Sequence, residues 1–184
     1  MKISIKYLIF FIYIIGVIYL ILPSPDTPGL DNSFRSTEEG DTWQNPNQKG
    51  YYTDLTRHQV ISQIQQKFSL NIFGSGFLGF RLNYPPEEAQ TIVRDQLKSN
   101  YLEEVIHPLR ESLFINGWEP ENDPKMAQIP PSKRSSLIAN GKIYQAKITL
   151  YPVFPNVFAR LFIWTLIFPC SFLVMISMKK ALNA

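Results

Sequence analysis

Two long apolar runs bracket this chain, and nearly all of its polar residues lie between them. From Ile3 to Leu22, ISIKYLIFFIYIIGVIYLIL is broken only by Ser4 and Lys6, and about twenty such residues match the roughly 30 Å hydrocarbon core of a bilayer. A cleaved signal peptide is the competing reading. The unbroken core from Tyr7 to Leu22 exceeds the about 7–15 residues of such segments, however, and PSPDTPG after it offers no small-residue cleavage site. The second run, Leu161 to Met178, is eighteen uncharged residues, extended by Val153 to Ala159 on one side and closed by Lys179-Lys180 on the other. Pro169 should kink it and free the Thr165 carbonyl, with Thr165 and Ser171 close enough to help satisfy the backbone. Trp164 and Tyr151 are placed to mark one interface. The pattern predicts two transmembrane helices.

Between them, Pro85 to Trp118 carries the longest pattern of helical spacing. Ala89, Ile92, Val93, Leu97 and Tyr101 form one stripe, which Leu102, Val105, Ile106, Leu109 and Leu113 continue. Pro85-Pro86 and Glu87-Glu88 suit a helix start, Pro108 predicts a kink or two abutting helices, and Asn116-Gly117 predicts a stop, with Trp118 capping the core. The segment is expected to be the spine of the domain.

The remaining pieces are shorter. Pro23 to Lys49, with four prolines, predicts a linker or extended strap, which Phe34 and Trp43 could pin to the domain. In Tyr51 to Phe68, Leu55, Val60, Ile61, Ile64 and Phe68 share a helical face, and Thr53 or Thr56 can cap its start. A Gly-broken hairpin or bulged strand ends in Phe80 to Tyr84. Glu119 to Ser136 reads as a loop. After the Asn140-Gly141 turn, Lys142 to Val153 alternates as a half-buried strand, with Leu137 to Ala139 its hairpin partner. The expected organisation is α+β: a transmembrane helix at 1–22, a linker at 23–50, a small extracytoplasmic domain of helices on a short antiparallel sheet at 51–152, and a second transmembrane helix at 153–180.

Charge sharpens this picture. The net charge is +3, but Lys2, Lys6, Arg160, Lys179 and Lys180 all flank the apolar runs, leaving 13 Lys/Arg against 15 Asp/Glu in between. The basicity belongs to the membrane, and nucleic acid is disfavoured as a partner. Lysines outside both runs place both termini in the cytoplasm and the domain outside, giving a two-pass plasma-membrane protein with the lipid bilayer as its first partner. The single cysteine, Cys170, lies in the second run, so no intramolecular disulfide and no Cys-based metal site can form.

Candidate chemistry is sparse. Glu103, Glu104 and His107 fall in one helical neighbourhood with Arg110, and Glu104-x-x-His107 has the spacing of carboxylate-bridged metal bundles. It is a lone copy with only His58 besides, and a histidine hydrogen-bonded beside Pro108 is the plainer reading; no metal or cofactor is assigned. Gly74-Ser75-Gly76-Phe77-Leu78-Gly79 lacks the Lys-Ser/Thr and the context of a phosphate loop, and no Gly-x-Ser-x-Gly occurs. Arg94, Asp95, Lys98, Arg110 and Glu111 fit a solvated charged face. The aromatics Tyr51, Tyr52, Phe73, Phe77, Phe80 and Tyr84 read as core, or as a binding surface where exposed.

The residues DTWQNPN (41–47), LNYPPEEAQTIVRDQ (82–96), YLEEVIHPLRESLFINGWEP (101–120) and KIYQAKITL (142–150) resemble an uncharacterised family of two-span membrane proteins from uncultured, small-genome (candidate-phyla) bacteria. The resemblance implies a bacterial envelope location and carries no activity or site residue. The expected function is therefore a non-enzymatic envelope module binding a protein, peptide or surface polymer near the membrane. Two alternatives stand beside it: a membrane-anchored hydrolase or metal-dependent enzyme using Glu103, Glu104, His107 and Arg110, and an accessory subunit of a multispan complex.

Overall fold

The computed structural model describes residues 5–72, 75–93, 98–134 and 136–182, without the side chains of 5, 6, 71, 72, 75 and 131. Sequence expectations at Lys2, Ile3, Phe73, Gly74, Arg94, Asp95 and Leu97 lie outside the described residues. The chain divides into two compact units, one of Met1–Ser24 with Phe154–Ala184 and one of Pro25–Val153.

The first unit is a pair of helices, α1 (Ile5–Ile21) and α5 (Val157–Leu182). A helix of 26 residues such as α5 is about 39 Å long, and its surface is apolar up to Lys179 and Lys180. It is long and apolar enough to cross a membrane. The apolar stretch described in α1, Tyr7–Ile21, is 15 residues, about 23 Å, so the expected N-terminal span is not supported at the length its sequence suggested. The helices run antiparallel: Trp164 donates to the Tyr13 carbonyl at 3.2 Å, and its ring covers Gly16 so closely that a Cβ there would stand 2.1 Å from Cζ2. Tyr13 and Thr165 share a hydroxyl hydrogen bond of 3.1 Å. Thr165 is thus engaged across the pair, and it is Ser171 that answers a backbone carbonyl near Pro169, that of Ile167, at 2.7 Å.

The second unit is α+β. In chain order it contains β1 (Ser33–Arg35), β2 (Lys49–Thr53), α2 (Arg57–Lys67), β3 (Leu70–Ile72), β4 (Ser75–Phe77), β5 (Phe80–Tyr84), α3 (Ala89–Ile92), β6 (Tyr101–Ile106), β7 (Ser112–Trp118), α4 (Pro124–Ala127), β8 (Leu137–Ala139), β9 (Lys142–Tyr144) and β10 (Ala146–Val153). Six strands form one sheet in the order β1-β2-β10-β7-β6-β5, and every neighbouring pair in it is antiparallel. Two small hairpins, β3–β4 and β8–β9, stand apart from it.

The expected helical spine is a β-hairpin. Tyr101–Ile106 and Ser112–Trp118 pair as β6 and β7 near the centre of the sheet, while among the described residues of the segment helix is found in Ala89–Ile92, preceded by a 3-10 turn at Pro86–Glu88. Because both sheet faces are covered there, β6 and β7 are buried along almost their whole length. A strand buried on both sides has no apolar–polar alternation to betray it. Pro108 does not kink a helix; it forms the β6–β7 turn, closed by Arg110 N donating to His107 O at 2.9 Å. Asn116 and Gly117 do not stop a helix either, and lie inside β7.

Elsewhere the local signals hold. Thr56 caps α2 in a reciprocal capping box with Gln59, and its Val60, Ile61, Ile64 and Phe68 seal one face of the sheet against Tyr101, Val105, Leu113, Ile115, Ile148 and Leu150. Tyr51–Thr53, expected at the start of that helix, is strand β2. Asn140 and Gly141 turn with φ of 50° and 74° between β8 and β9, as expected. The other face is closed by less regular chain. Residues expected as linker supply β1 and a buried Asp41, which accepts from Ser36 Oγ at 2.7 Å and Gln48 Nε2 at 3.0 Å and pairs with Lys147 Nζ at 2.7 Å. Lys147 also reaches Glu38 at 2.7 Å. Phe34 packs on the cluster of Tyr52, Trp118, Met126 and Leu137, whereas Trp43 is exposed and pins nothing.

Candidate functional site

Strand geometry disperses the four sequence candidates. Successive residues of a strand point to opposite faces, so Glu103 faces α2 and Glu104 the other side. Glu103 is fully buried and held by two arginines: Arg57 Nε donates to Oε1 at 2.6 Å and Arg81 Nη2 at 2.7 Å, with Arg81 Nε on Oε2. Glu104 accepts the Tyr84 hydroxyl at 2.6 Å; that carboxylate, aided by burial, pushes the Tyr84 phenol up to about 12. His107 lies beyond the end of β6, stacked on Phe68 at 5.1 Å, with Nδ1 3.2 Å from Glu111 Oε1. Arg110 pairs with the same Glu111 at 3.1 Å. The structure therefore joins His107 and Arg110 through Glu111 inside the β6–β7 turn, and brings neither to Glu103 or Glu104. Among the described residues no three His, Cys, Asp or Glu side chains converge as a metal site would require.

A different set of residues encloses space. At the end of the sheet where β7 finishes and β10 begins, a cleft of about 860 Å³ is lined by Arg57, Gln90, Lys98, Asn100, Tyr101 and Glu119, with Asn122, Lys125 and Met126 among its other walls. Its floor is set by three packing choices. Gly117 leaves room for the Tyr101 ring, since a Cβ there would stand 2.0 Å from Tyr101 Cζ. Arg57, at the first turn of α2, lies over that ring at 4.7 Å while its Nη2 donates to Asn83 Oδ1 at 2.9 Å. Trp118 is fixed by its indole N–H to Asp123 at 3.1 Å, and Lys98 sits over its ring at 4.3 Å.

Tyr101 is the informative member. It is only 3% exposed, and its hydroxyl has no hydrogen-bond partner among the described residues. Burial, reinforced by the nearby carboxylate of Glu119, keeps its phenol protonated well above the ordinary tyrosine range, so it stands as a neutral donor and acceptor. A buried hydroxyl left unmatched costs about 1–3 kcal/mol, and the Tyr101 ring that carries it lines the cleft. The rest of the lining mixes amides with cations (Arg57, Lys98, Lys125) and acids (Glu87, Glu119). Such a surface matches the alternating donors and acceptors of a peptide or amide-bearing polymer better than a uniformly charged one. The sequence pattern placed Tyr101 on a helical stripe, and only the pairing of β6 with β7 brings it against Gly117.

Comparison with protein-family models, with curated proteins and with solved structures gives no match for this chain.

Proposed function

We propose that this chain is a two-pass membrane protein whose outer domain is a non-enzymatic module that binds a peptide or amide-bearing polymer in the Tyr101 cleft. The observation that carries the reading is that cleft, about 860 Å³ and floored by a buried hydroxyl with no partner among the described residues. Two further features support it. The α1–α5 pairing gives the shorter helix a partner within a bilayer, and the lysines outside both apolar runs favour cytoplasmic termini. The bacterial envelope setting rests on the resemblance of residues 41–47, 82–96, 101–120 and 142–150 to the two-span family.

The enzyme reading has no comparable support, because its four residues are divided between two faces and a turn, each held by a structural partner. Titration of acidic, basic and neutral synthetic peptides onto the full chain in detergent tests the proposal calorimetrically. Saturable peptide binding, lost in Asn122→Trp at the cleft rim, is the expected result. Peptides that bind equally well to the blocked variant, or hydrolysis abolished by His107→Ala, would count against it.

A further inference from the structure

The chain enters and leaves the folded unit at the same end of its sheet. On the way in, the Thr27 carbonyl accepts from Lys49 Nζ at 2.6 Å, and Lys49 opens β2 opposite Leu150 of β10. On the way out, β10 closes at Val153 and α5 begins at Val157. The β6–β7 turn and the connection into β5 stand at this end too, because Phe80 pairs with Ile106, Ile106 with Ser112, and Ser112 with Val153. The Tyr101 cleft is at the opposite end.

The β6–β7 turn and the approach to β5 show apolar side chains to solvent. Leu78, Phe80, Leu109 and Val153 are 51, 60, 45 and 40% exposed, while His107, Arg110 and Glu111 of the same turn are buried. Leu109 adds a second observation. It occupies the second central position of the turn after Pro108 with φ of +59°, a left-handed conformation in which glycine or asparagine is the ordinary occupant. Leu109 is thus half-exposed while its backbone is held in a disfavoured state. Strain of this kind gathers at sites that contact something else.

We infer that this end is a lipid-contacting surface, with Leu78, Phe80 and Leu109 entering the headgroup–acyl boundary of the bilayer that α5 crosses. The occupant follows from connectivity. Phe154, Pro155 and Asn156 are the only residues between β10 and α5, and three extended residues reach about 11 Å at most. The patch is therefore tethered beside the bilayer, where burial of exposed leucine and phenylalanine is favourable. The charged groups of the β6–β7 turn itself, His107, Arg110 and Glu111, are buried and need no desolvation there. The inference rests on the membrane anchoring proposed above.

The test uses the full chain in a Cys170→Ser background, with an environment-sensitive fluorophore on Leu78→Cys, Leu109→Cys or, as the opposite-end control, Glu121→Cys. The chain is reconstituted into phosphatidylcholine–phosphatidylglycerol vesicles. Spin-labelled acyl chains should quench the Leu78 and Leu109 probes several-fold more than the Glu121 probe, and aqueous iodide should do the reverse. Either labelled site suffices, so a variant that misfolds does not remove the test. Probes open to iodide at both sites would overturn the inference, as would probes shielded from iodide and lipid alike, which would mean a protein cover. Flotation with vesicles after alkaline extraction separates the premises: a chain that does not float ends the anchoring proposal and this inference together, whereas a floating chain with lipid-inaccessible probes ends only this one.

Discussion

The two faces of the central sheet solve the same burial problem differently. The face under α2 is closed by a regular helix laying Val60, Ile61, Ile64 and Phe68 onto aliphatic side chains. The opposite face is closed by short helices and irregular chain, which carry two smaller apolar clusters and an ionic centre in which buried Asp41 and largely buried Lys147 meet the more exposed Glu38. Apolar burial is indifferent to pH and tolerant in direction, whereas the ionic centre demands matched partners. One face should therefore fail by losing volume and the other by losing charge.

Cutting volume from the helix-covered face should have the largest effect. Ile64 is fully buried, and Ile64→Ala should cost about 3–4 kcal/mol, by the same amount at pH 7 and at mildly acidic pH, in urea unfolding of the solubilised chain. A pH-dependent loss would mean that the ionic centre and α2 unfold as separate units, and the comparison would have to be redrawn.

On the other face, Asp41→Asn should cost about 2–3 kcal/mol at pH 7, the scale of a hydrogen bond to a charged group. Burial pushes the Asp41 carboxyl up, but the hydrogen bonds from Lys147, Ser36 and Gln48 outweigh it and hold the group below the usual carboxylate range. A depressed carboxylate stabilises the fold above its unfolded value, about 3.9, and that contribution disappears as pH falls through the folded value. The acid limb of the stability profile should flatten in the variant. An unchanged limb would assign acid sensitivity to Glu38 or another carboxylate.

How much of this was legible in the sequence follows the same division. Thr56 with Gln59, the apolar spacing of α2 and the Asn140-Gly141 turn are local statements that could be read without knowing what lies opposite, whereas the single strand expected from Lys142 to Val153 is divided into β9 and β10, which belong to different sheets. The β6–β7 hairpin was not legible, because its strands are covered on both sides. Leu102, Val105, Ile106 and Leu113 then satisfy a helical period by coincidence, with buried Glu103 and Glu104 imitating its polar face. Pro108-Leu109 between two runs rich in aromatic and β-branched residues was the available signal for a turn. The cleft could not be foreseen at all: Tyr101 meets Gly117 only through strand register, and Asp41 meets Lys147 only through the order of strands in the sheet.

A smaller effect separates the two faces at high pH. Tyr84 donates to Glu104 on the irregular face, and its phenol is pushed up to about 12, chiefly by that carboxylate. A raised phenol stabilises the fold below its unfolded value, near 10, and the contribution is lost as pH rises through about 12. Tyr84→Phe should cost about 1–2 kcal/mol at pH 7 and shift the alkaline unfolding limb. If the limb stays in place, Tyr101, buried at the cleft under α2, is the phenol that controls it, and alkaline sensitivity belongs to the helix-covered face instead.

The smallest predicted change has the opposite sign and lies outside both faces. Leu109, at φ +59° in the β6–β7 turn, should be relieved by Leu109→Gly, because glycine occupies the left-handed region without a Cβ clash. Glycine also enlarges the conformational freedom of the unfolded chain, which takes back part of the gain. The net expectation is a stabilisation of about 0.5–1 kcal/mol in urea unfolding of the full chain in detergent. Gains of this sign are rare among substitutions that delete an apolar side chain. Finding one would mark Leu109 as kept for something other than stability, whereas a loss would show that the side chain contributes more within the fold than its strained backbone costs. The contrast would then lie between two well-packed faces and an equally well-packed end, with no patch left over for a membrane to cover.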